Sequence, residues 1–437
     1  MRDNGSGAGA EDWTKRFVQH PMREAVLSEL HARPFHALVT PRTVIHYAFM
    51  STVETAAEDR ARLAARCEAR GLPAPGPNTR HMVLKLGEAA LRWETHSEFT
   101  TYSFDMPPPK ENEDPLPALF GKDFQPPGPL IVACRLDLVH DDVPLKERLA
   151  AYDPASLAVS LVAGGRALIA TDFKPNDHGR TDILVVDTGM FPQEPGSTAQ
   201  RLLEIETYRT MALLGLPETQ RLTPVIRRIE TELSSITERI RLSSDLEQNR
   251  HLLADLTGLA ADLEAATATT GYRFGASRAY FEIVRARLDV IDEKPLDGHV
   301  TWSVFLNRRL LPAMRTIQAT DASVTDLAAK LARAAELLRT RVDVELERQN
   351  KALLETMNRR GRIQLRMQQT VEGLSVAAIS YYVIGLVSYL AKTLTFVDHS
   401  VDPDVITAAA VLPVVALVWF MVRRIRRAFE GPGHAEE

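Results

Sequence analysis

Apolar residues follow two rhythms along this chain, and the change between them comes near Ser197. Ahead of it, over 43–187, short apolar runs are separated by Gly, Pro, Asn and Asp, as strands are by turns. The runs at 43–50, 81–86, 90–95, 99–104, 130–138, 157–162, 167–171 and 183–187 predict strands. The second to fourth are spaced as an antiparallel meander, and Gly164-Gly165 predicts a hairpin turn. The Ala- and Arg-rich stretch 53–70 predicts a helix stopped by the Pro/Gly turn 71–78, and 106–129 is a proline-rich loop. Seven or so strands with at least two helices predict a mixed sheet covered on one or both faces.

Beyond Ser197 the spacing is helical. A helix over 200–214 is expected to stop at Gly215-Leu216-Pro217. The next starts at Thr223-Pro224 and aligns Val225, Ile229, Leu233, Ile236 and Ile240, then Leu246, Leu253, Leu256, Leu259 and Leu263. Read as one helix of about forty residues, it needs a partner for that stripe. Gly271 and Gly275 predict an interruption before 278–292, and Pro312 bends or ends a helix over 296–316. A last soluble helix, 324–366, places Leu331, Leu338, Val342 and Leu346 on one stripe and runs straight into an apolar segment. Such a helix is stiff and would carry movement of the soluble part to the membrane.

Two apolar stretches of 18 residues each, 374–391 and 405–422, lie 13 residues apart. At about 1.5 Å per residue, each nearly crosses a hydrocarbon core of about 30 Å. Arg359, Arg360, Arg362 and Arg366 precede the first, and Arg423, Arg424, Arg426 and Arg427 follow the second. The connection carries Lys392 against Asp398, Asp402 and Asp404. The positive-inside rule puts both termini in the cytoplasm and the acidic loop outside, which implies an inner-membrane protein in contact with lipid. No apolar segment follows the first residues, so a cleaved signal peptide is not expected.

The expected fold class is α+β, with five parts. These are an N-terminal arm and helix (1–42), a mixed α/β cytosolic domain (43–196), a long-helix, coiled-coil region (197–370), a transmembrane pair with its acidic outer loop (371–422) and a basic tail (423–437). The net charge of −5 changes little, because the basic residues gather beside the spans, where lipid and topology account for them without nucleic acid. Cys67 and Cys134 are isolated, which fits a reducing compartment and excludes a CxxC redox pair or a thiolate metal site. Gly164-Gly165 lacks an extended phosphate loop, and 71–76 is broken by proline with no lysine after it, so nucleotide binding has no motif.

Candidate chemistry is sparse, and an enzyme is not the expected class. Ser375, Ala378, Tyr382, Gly385 and Ser388, followed by Lys392, place small and hydroxyl groups along one stripe of the first span. That stripe either packs the two spans together or, with several copies in a ring, lines a polar path. Asp398, Asp402 and Asp404, with His399, would concentrate cations at such an opening. Asp177 and Asp182, in a group with Asp172, His178 and Asp187, could meet Mg2+ or another divalent cation at the sheet edge. His20, Arg23, Glu29, His31, Arg33 and His36 form the densest polar group, without a diagnostic spacing, and read as structural. Glu204, Glu206, Tyr208 and Arg209 are expected to knit their helix to the sheet domain.

The order of an α/β domain, long helices, a stiff helix entering the membrane, a short acidic loop and a second span before a basic tail resembles the CorA-type divalent-cation transporter superfamily. That resemblance implies self-association, in a pentamer, with the first span lining a pore. The superfamily's Gly-Met-Asn triplet is replaced here by Ser388-Tyr389-Leu390-Ala391-Lys392. The phrases His20-Pro21-Met22-Arg23, Glu29-Leu30-His31-Ala32-Arg33-Pro34-Phe35, Glu204-Ile205-Glu206-Thr207-Tyr208-Arg209 and Leu213-Leu214-Gly215-Leu216-Pro217 are similar to the DUF3422 family of bacterial membrane-anchored proteins. That family implies topology and origin but no chemistry.

Overall fold

The computed structural model describes residues 17–18, 20–23, 26–27, 35, 37–109, 121, 124–243, 245–394 and 402–429. Most of the N-terminal polar group, most of the proline-rich loop, and Asp398 with His399 lie outside them. The chain forms two compact units. One is Met1–Glu238 with Asp255–Arg333, the other Arg239–Ala254 with Ala334–Glu437.

The first unit is built on a nine-stranded mixed sheet. Its strands are β1 (Arg42–Met50), β2 (His81–Leu86), β3 (Ala89–Thr95), β4 (Phe99–Met106), β5 (Leu130–His140), β6 (Ala158–Val162), β7 (Ala167–Thr171), β8 (Thr181–Asp187) and the short β9 (Lys294–Pro295). They lie in the order β2-β3-β4-β1-β5-β8-β7-β6-β9, every neighbouring pair antiparallel except β5 and β8. The expected meander is β2-β3-β4, and Gly164 and Gly165, with φ of 67° and 89°, make the β6–β7 turn that few L side chains tolerate. The ninth strand comes from the helical half and pairs with β6 through Lys294 and Pro295. Two residues with no apolar alternation leave no strand signal in the sequence.

Alternation along β1 sends its side chains to two cores. Ile45, Tyr47 and Phe49 join Leu84, Trp93 and Phe104 beneath α1 (Val53–Ala69), which contributes Leu63 and Cys67. Thr52 caps α1 through a reciprocal pair of bonds with Thr55, the arrangement that satisfies two otherwise unpaired N–H groups. On the same face the short α2 (Leu145–Leu149) packs Leu149 against Val159, Leu184 and Val186. The opposite side of β1, with Ala48, Phe99 and Val132, meets Met211 of α3 (Glu194–Leu213), and α6 (Thr270–Ile291) lies against α3.

The helical half departs from the periodicity reading in four places. Gly215 does not stop a helix; α4 (Gly215–Leu242) begins there, with Pro224 inside it. A Cβ at Gly215 would stand 2.7 Å from Ser277 Oγ and 2.9 Å from Ile317 Cδ1, so the glycine serves close packing. The long helix expected from Thr223 is two, α4 and α5 (Leu246–Thr267). Asp245 accepts a bond from Gln248 N at 3.1 Å and caps α5. Arg228 bonds Asp262 at 2.8 Å and Arg221 bonds the Ala266 carbonyl at 3.0 Å, so the pair is an antiparallel hairpin whose halves supply each other's partner. Gly271 and Gly275 lie within α6, the break falling before Thr270. Pro312 neither ends nor separates a helix, because α7 runs unbroken from Trp302 to Leu394 with Leu310, Met314 and Ile317 buried on both sides of it.

In the second unit, Arg341 of α7 donates to the Ile240 carbonyl at 2.7 Å, and Leu338 and Val342 are buried. Beyond them every residue from 347 to 371 is exposed. The last element is α8 (Pro403–Phe429). Both α7 and α8 contain a segment long and apolar enough to cross a membrane.

Candidate functional site

The C-terminal part of α7 has two sides. Ser380 and Ala391 are buried, and Ile384 and Val387 between them are half-buried; on α8, Val418 is buried. At 3.6 residues per turn, Ser375, Ala378, Tyr382, Gly385 and Ser388 centre roughly 150° away from that buried line. Ser375, Ala378 and Tyr382 are exposed, while Gly385 and Ser388, nearer the margin, are half-buried. The small and hydroxyl stripe is therefore turned away from the side that its own chain covers. Lys392 continues it and is exposed.

The same side extends toward the N-terminal end of the helix. Leu353, Met357, Met367, Val371 and Leu374 are each more than half exposed and fall in phase with Ala378 at spacings of three and four or their multiples. Near the C-terminal end of α8, Arg423 lies 4.8 Å from the Trp419 ring, a cation beside an aromatic.

Asp402 and Asp404 open α8. Asp402 Oδ1 accepts from Asp404 N at 3.0 Å, and the Asp402 carbonyl accepts from Val405 N at 3.2 Å. Carboxylates here offset the positive end of the helix dipole, a role they fill without any ion. Asp398 falls outside the described residues. Asp177 is exposed in the β7–β8 connection, while Asp182 accepts from Asn176 Nδ2 at 2.9 Å and burial raises its pKa. Among the described residues, no group of three or more His, Cys, Asp or Glu is arranged to hold a metal ion. Of the N-terminal group, His20 Nδ1 accepts from Met22 N at 3.1 Å.

Between β1, β4 and α3 lies a polar contact that the sequence reading passed over. His46 Nδ1 is 2.7 Å from Ser103 Oγ, and His46 Nε2 is 3.0 Å from Thr207 Oγ1. Thr207 donates to the Leu203 carbonyl at 2.8 Å, so it accepts from Nε2–H and leaves Nδ1 to accept from Ser103. This resembles a nucleophile and its base, but burial, with the Arg92 charge, lowers the His46 pKa to about 4. So weak a base, beside a space of about 40 Å3, does not activate a hydroxyl. The contact fastens α3 to the sheet. Tyr208 does the same, its ring meeting Phe99 of β4 edge-on at 6.1 Å, while Glu206 and Arg209, bonded at 2.6 and 2.5 Å, pair with each other within α3.

Arg209 also begins a four-layer stack. Its guanidinium lies 5.0 Å from the Phe173 ring, Phe173 stacks on Phe305 at 4.8 Å, and Arg309 lies 3.8 Å from Phe305. Phe173 adopts φ of 58°, a backbone state that costs a bulky residue, and Trp302 meets its ring edge-on at 5.0 Å. A cavity of about 250 Å3 adjoins the stack, with Leu213, Leu306 and Leu310 as apolar wall and Lys174 paired to Asp153 at its rim.

A family model described as "Protein of unknown function (DUF3422)" matches residues 18–429. No curated protein and no solved structure matches the chain.

Proposed function

The chain belongs to the DUF3422 family, and from that premise we propose a homo-oligomeric, two-span membrane protein of CorA-like layout in which copies of α7 pack together and its first-span stripe lines a path for a cation. Both termini lie in the cytoplasm of a bacterial inner membrane, as the flanking arginines and the acidic connection suggest. One observation carries the reading: the exposed side of α7. A run of 25 residues, 347–371, has no cover from the described residues, yet keeps large apolar groups at coiled-coil spacing. The Ser/Ala/Tyr/Gly stripe follows in the same phase and faces away from the covered side. In lipid such a stripe prefers another helix or water to acyl chains.

Two helices per chain enclose no path, so transport requires a ring, with five copies suggested by the CorA-like layout. Mg2+ or another divalent cation is the substrate class of that layout, and Asp398, Asp402 and Asp404 would gather it at the outer mouth. The second reading is a non-transporting anchor that presents the sheet domain to a protein partner. Lys392 supports it, since an exposed ammonium on the stripe opposes cation entry at the place where the CorA-type triplet is missing. Mass and symmetry of the full chain in lipid nanodiscs, with cation flux from the same preparation in vesicles, separate the two. A closed ring with divalent-cation flux is expected; a ring without flux leaves the anchor, and a monomer removes self-association.

A further inference from the structure

The end of α3 and the first turns of α7 line a cavity of about 250 Å3 beside the stacked rings of Phe173 and Phe305. Its wall is Leu213 of α3 with Leu306 and Leu310 of α7, the last two buried. Packed interiors leave few voids larger than a water molecule, so walls that stay this far apart need a reason. They are fixed by bonds made elsewhere. Glu293 accepts from Trp302 N at 3.1 Å, Ser303 N at 2.7 Å and Ser160 Oγ at 2.7 Å, which ties the start of α7 to β6. Thr171 Oγ1 accepts from Phe173 N at 3.2 Å and donates to the Asp182 carbonyl at 2.7 Å, which holds the Phe173 backbone at its φ of 58°.

The charges that line the cavity are unequal. Arg209 gives Nε and Nη2 to Glu206, and Lys174 pairs with Asp153. Asp172 accepts from Asp153 N and Lys174 N, both at 3.0 Å, one on each carboxylate oxygen. Arg309 is different. It lines the cavity yet is exposed, and among the described residues no acceptor or carboxylate meets its guanidinium, which lies 3.8 Å from the Phe305 ring. Its helical neighbours three and four positions away, Phe305, Leu306, Pro312 and Ala313, include no acid. A guanidinium resting on a ring keeps its N–H donors in its own plane, where they match a planar carboxylate. The cavity thus joins a preformed apolar wall to one accessible cation without a counter-charge.

We propose that this cavity binds a small apolar monocarboxylate, its hydrocarbon body against Leu213, Leu306 and Leu310 and its carboxylate on Arg309. The site is independent of the oligomeric reading above. An apolar wall gives water in the cavity few partners, so an apolar body displaces it at little cost. A volume below the roughly 300–1,000 Å3 of drug-sized pockets limits that body to a short chain or a single ring. Wall and cation are both needed: the wall alone would take a neutral alcohol, the cation alone acetate.

The test is calorimetric titration of the full-length chain in zwitterionic phosphatidylcholine nanodiscs, with empty discs subtracted. The probes are octanoate, phenylacetate, the matching alcohols octanol and phenylethanol, and acetate. Saturable binding of octanoate or phenylacetate, one per chain, is expected, with the matching alcohol at least tenfold weaker and no heat from acetate. The tighter of the two acids identifies an aliphatic or an aromatic source. Arg309→Gln, on an exposed residue, should weaken binding at least tenfold in a protein that still melts cooperatively. Lys174→Gln, which removes a charge already matched by Asp153, should change affinity less than twofold. Leu213→Trp, on the half-buried part of the wall, should block the body. No saturable binding beyond empty discs, equal binding of the alcohol, or equal effects of the Arg309→Gln and Lys174→Gln changes would overturn the proposal.

Discussion

Trp93 Nε1 donates to Asp59 Oδ2 at 2.9 Å, joining the middle of α1 to β3 inside the first core. Tyr102 Oη shares the same carboxylate at 2.8 Å, so one acidic side chain satisfies two buried donors from different strands. Burial raises the Asp59 pKa while these two bonds lower it, and burial is the larger effect. Asp59→Ala strands both donors, at about 1–3 kcal/mol each. We expect a loss of about 2–4 kcal/mol, read as unfolding in urea, and a smaller loss for Asp59→Asn, which keeps an acceptor. A loss below about 1 kcal/mol for the alanine variant would show that water replaces the carboxylate.

His46 makes stability acid-sensitive. Its folded pKa, about 4, lies below the ordinary 6.5, so the unfolded chain takes up a proton that the folded chain refuses. Stability from this group is complete above about pH 6.5 and falls as pH drops from there to about 4. The shift corresponds to about 3 kcal/mol, an upper bound. His46→Asn should flatten that limb of a melting-temperature profile. An unchanged slope would mean that His46 is already hydrated in the folded protein.

Gly128 touches the backbone of β1. A Cβ there would sit 2.0 Å from the Met50 carbonyl oxygen, and the neighbouring Pro129 carbonyl accepts from Met50 N at 2.8 Å. Gly128→Ala must therefore push β1 and β5 apart at their shared end. A cost of about 2 kcal/mol or more is expected by thermal denaturation, at the upper side of ordinary overpacking.

The α4–α5 hairpin offers a test of helical phase. Leu252 is fully buried while its neighbour Leu253 is half-buried, although the stripe read from spacing contains Leu253. Leu252→Ala should cost about 2–5 kcal/mol, and Leu253→Ala about half as much or less. Equal losses would place the stripe where periodicity put it.

Self-association can be tested on α7 itself. Met367 and Leu365 are both apolar and exposed but lie about 160° apart around the helix. Met367→Asp should lower the mass of the assembly in nanodiscs or shift it strongly toward monomer. Leu365→Asp, on the other side, should leave it unchanged. Identical behaviour of the two would separate assembly from this face.

The sequence by itself determined the elements whose signals are local. Alternation and turn residues located eight of the nine strands to within a few residues, because a half-buried strand writes its two faces directly into its residues. The two apolar segments and α1 were legible for the same reason. Tertiary structure decided what depends on neighbours distant in the chain. It returned Lys294 and Pro295 to the sheet edge, assigned Gly215 to close packing instead of helix termination, and folded one apparent long stripe into a hairpin capped at Asp245. It brought His46 to Thr207 across 161 residues. A residue's spacing records the helix or strand it belongs to, while its partner is chosen by which surfaces can be buried together, and that choice is made only when the whole chain packs.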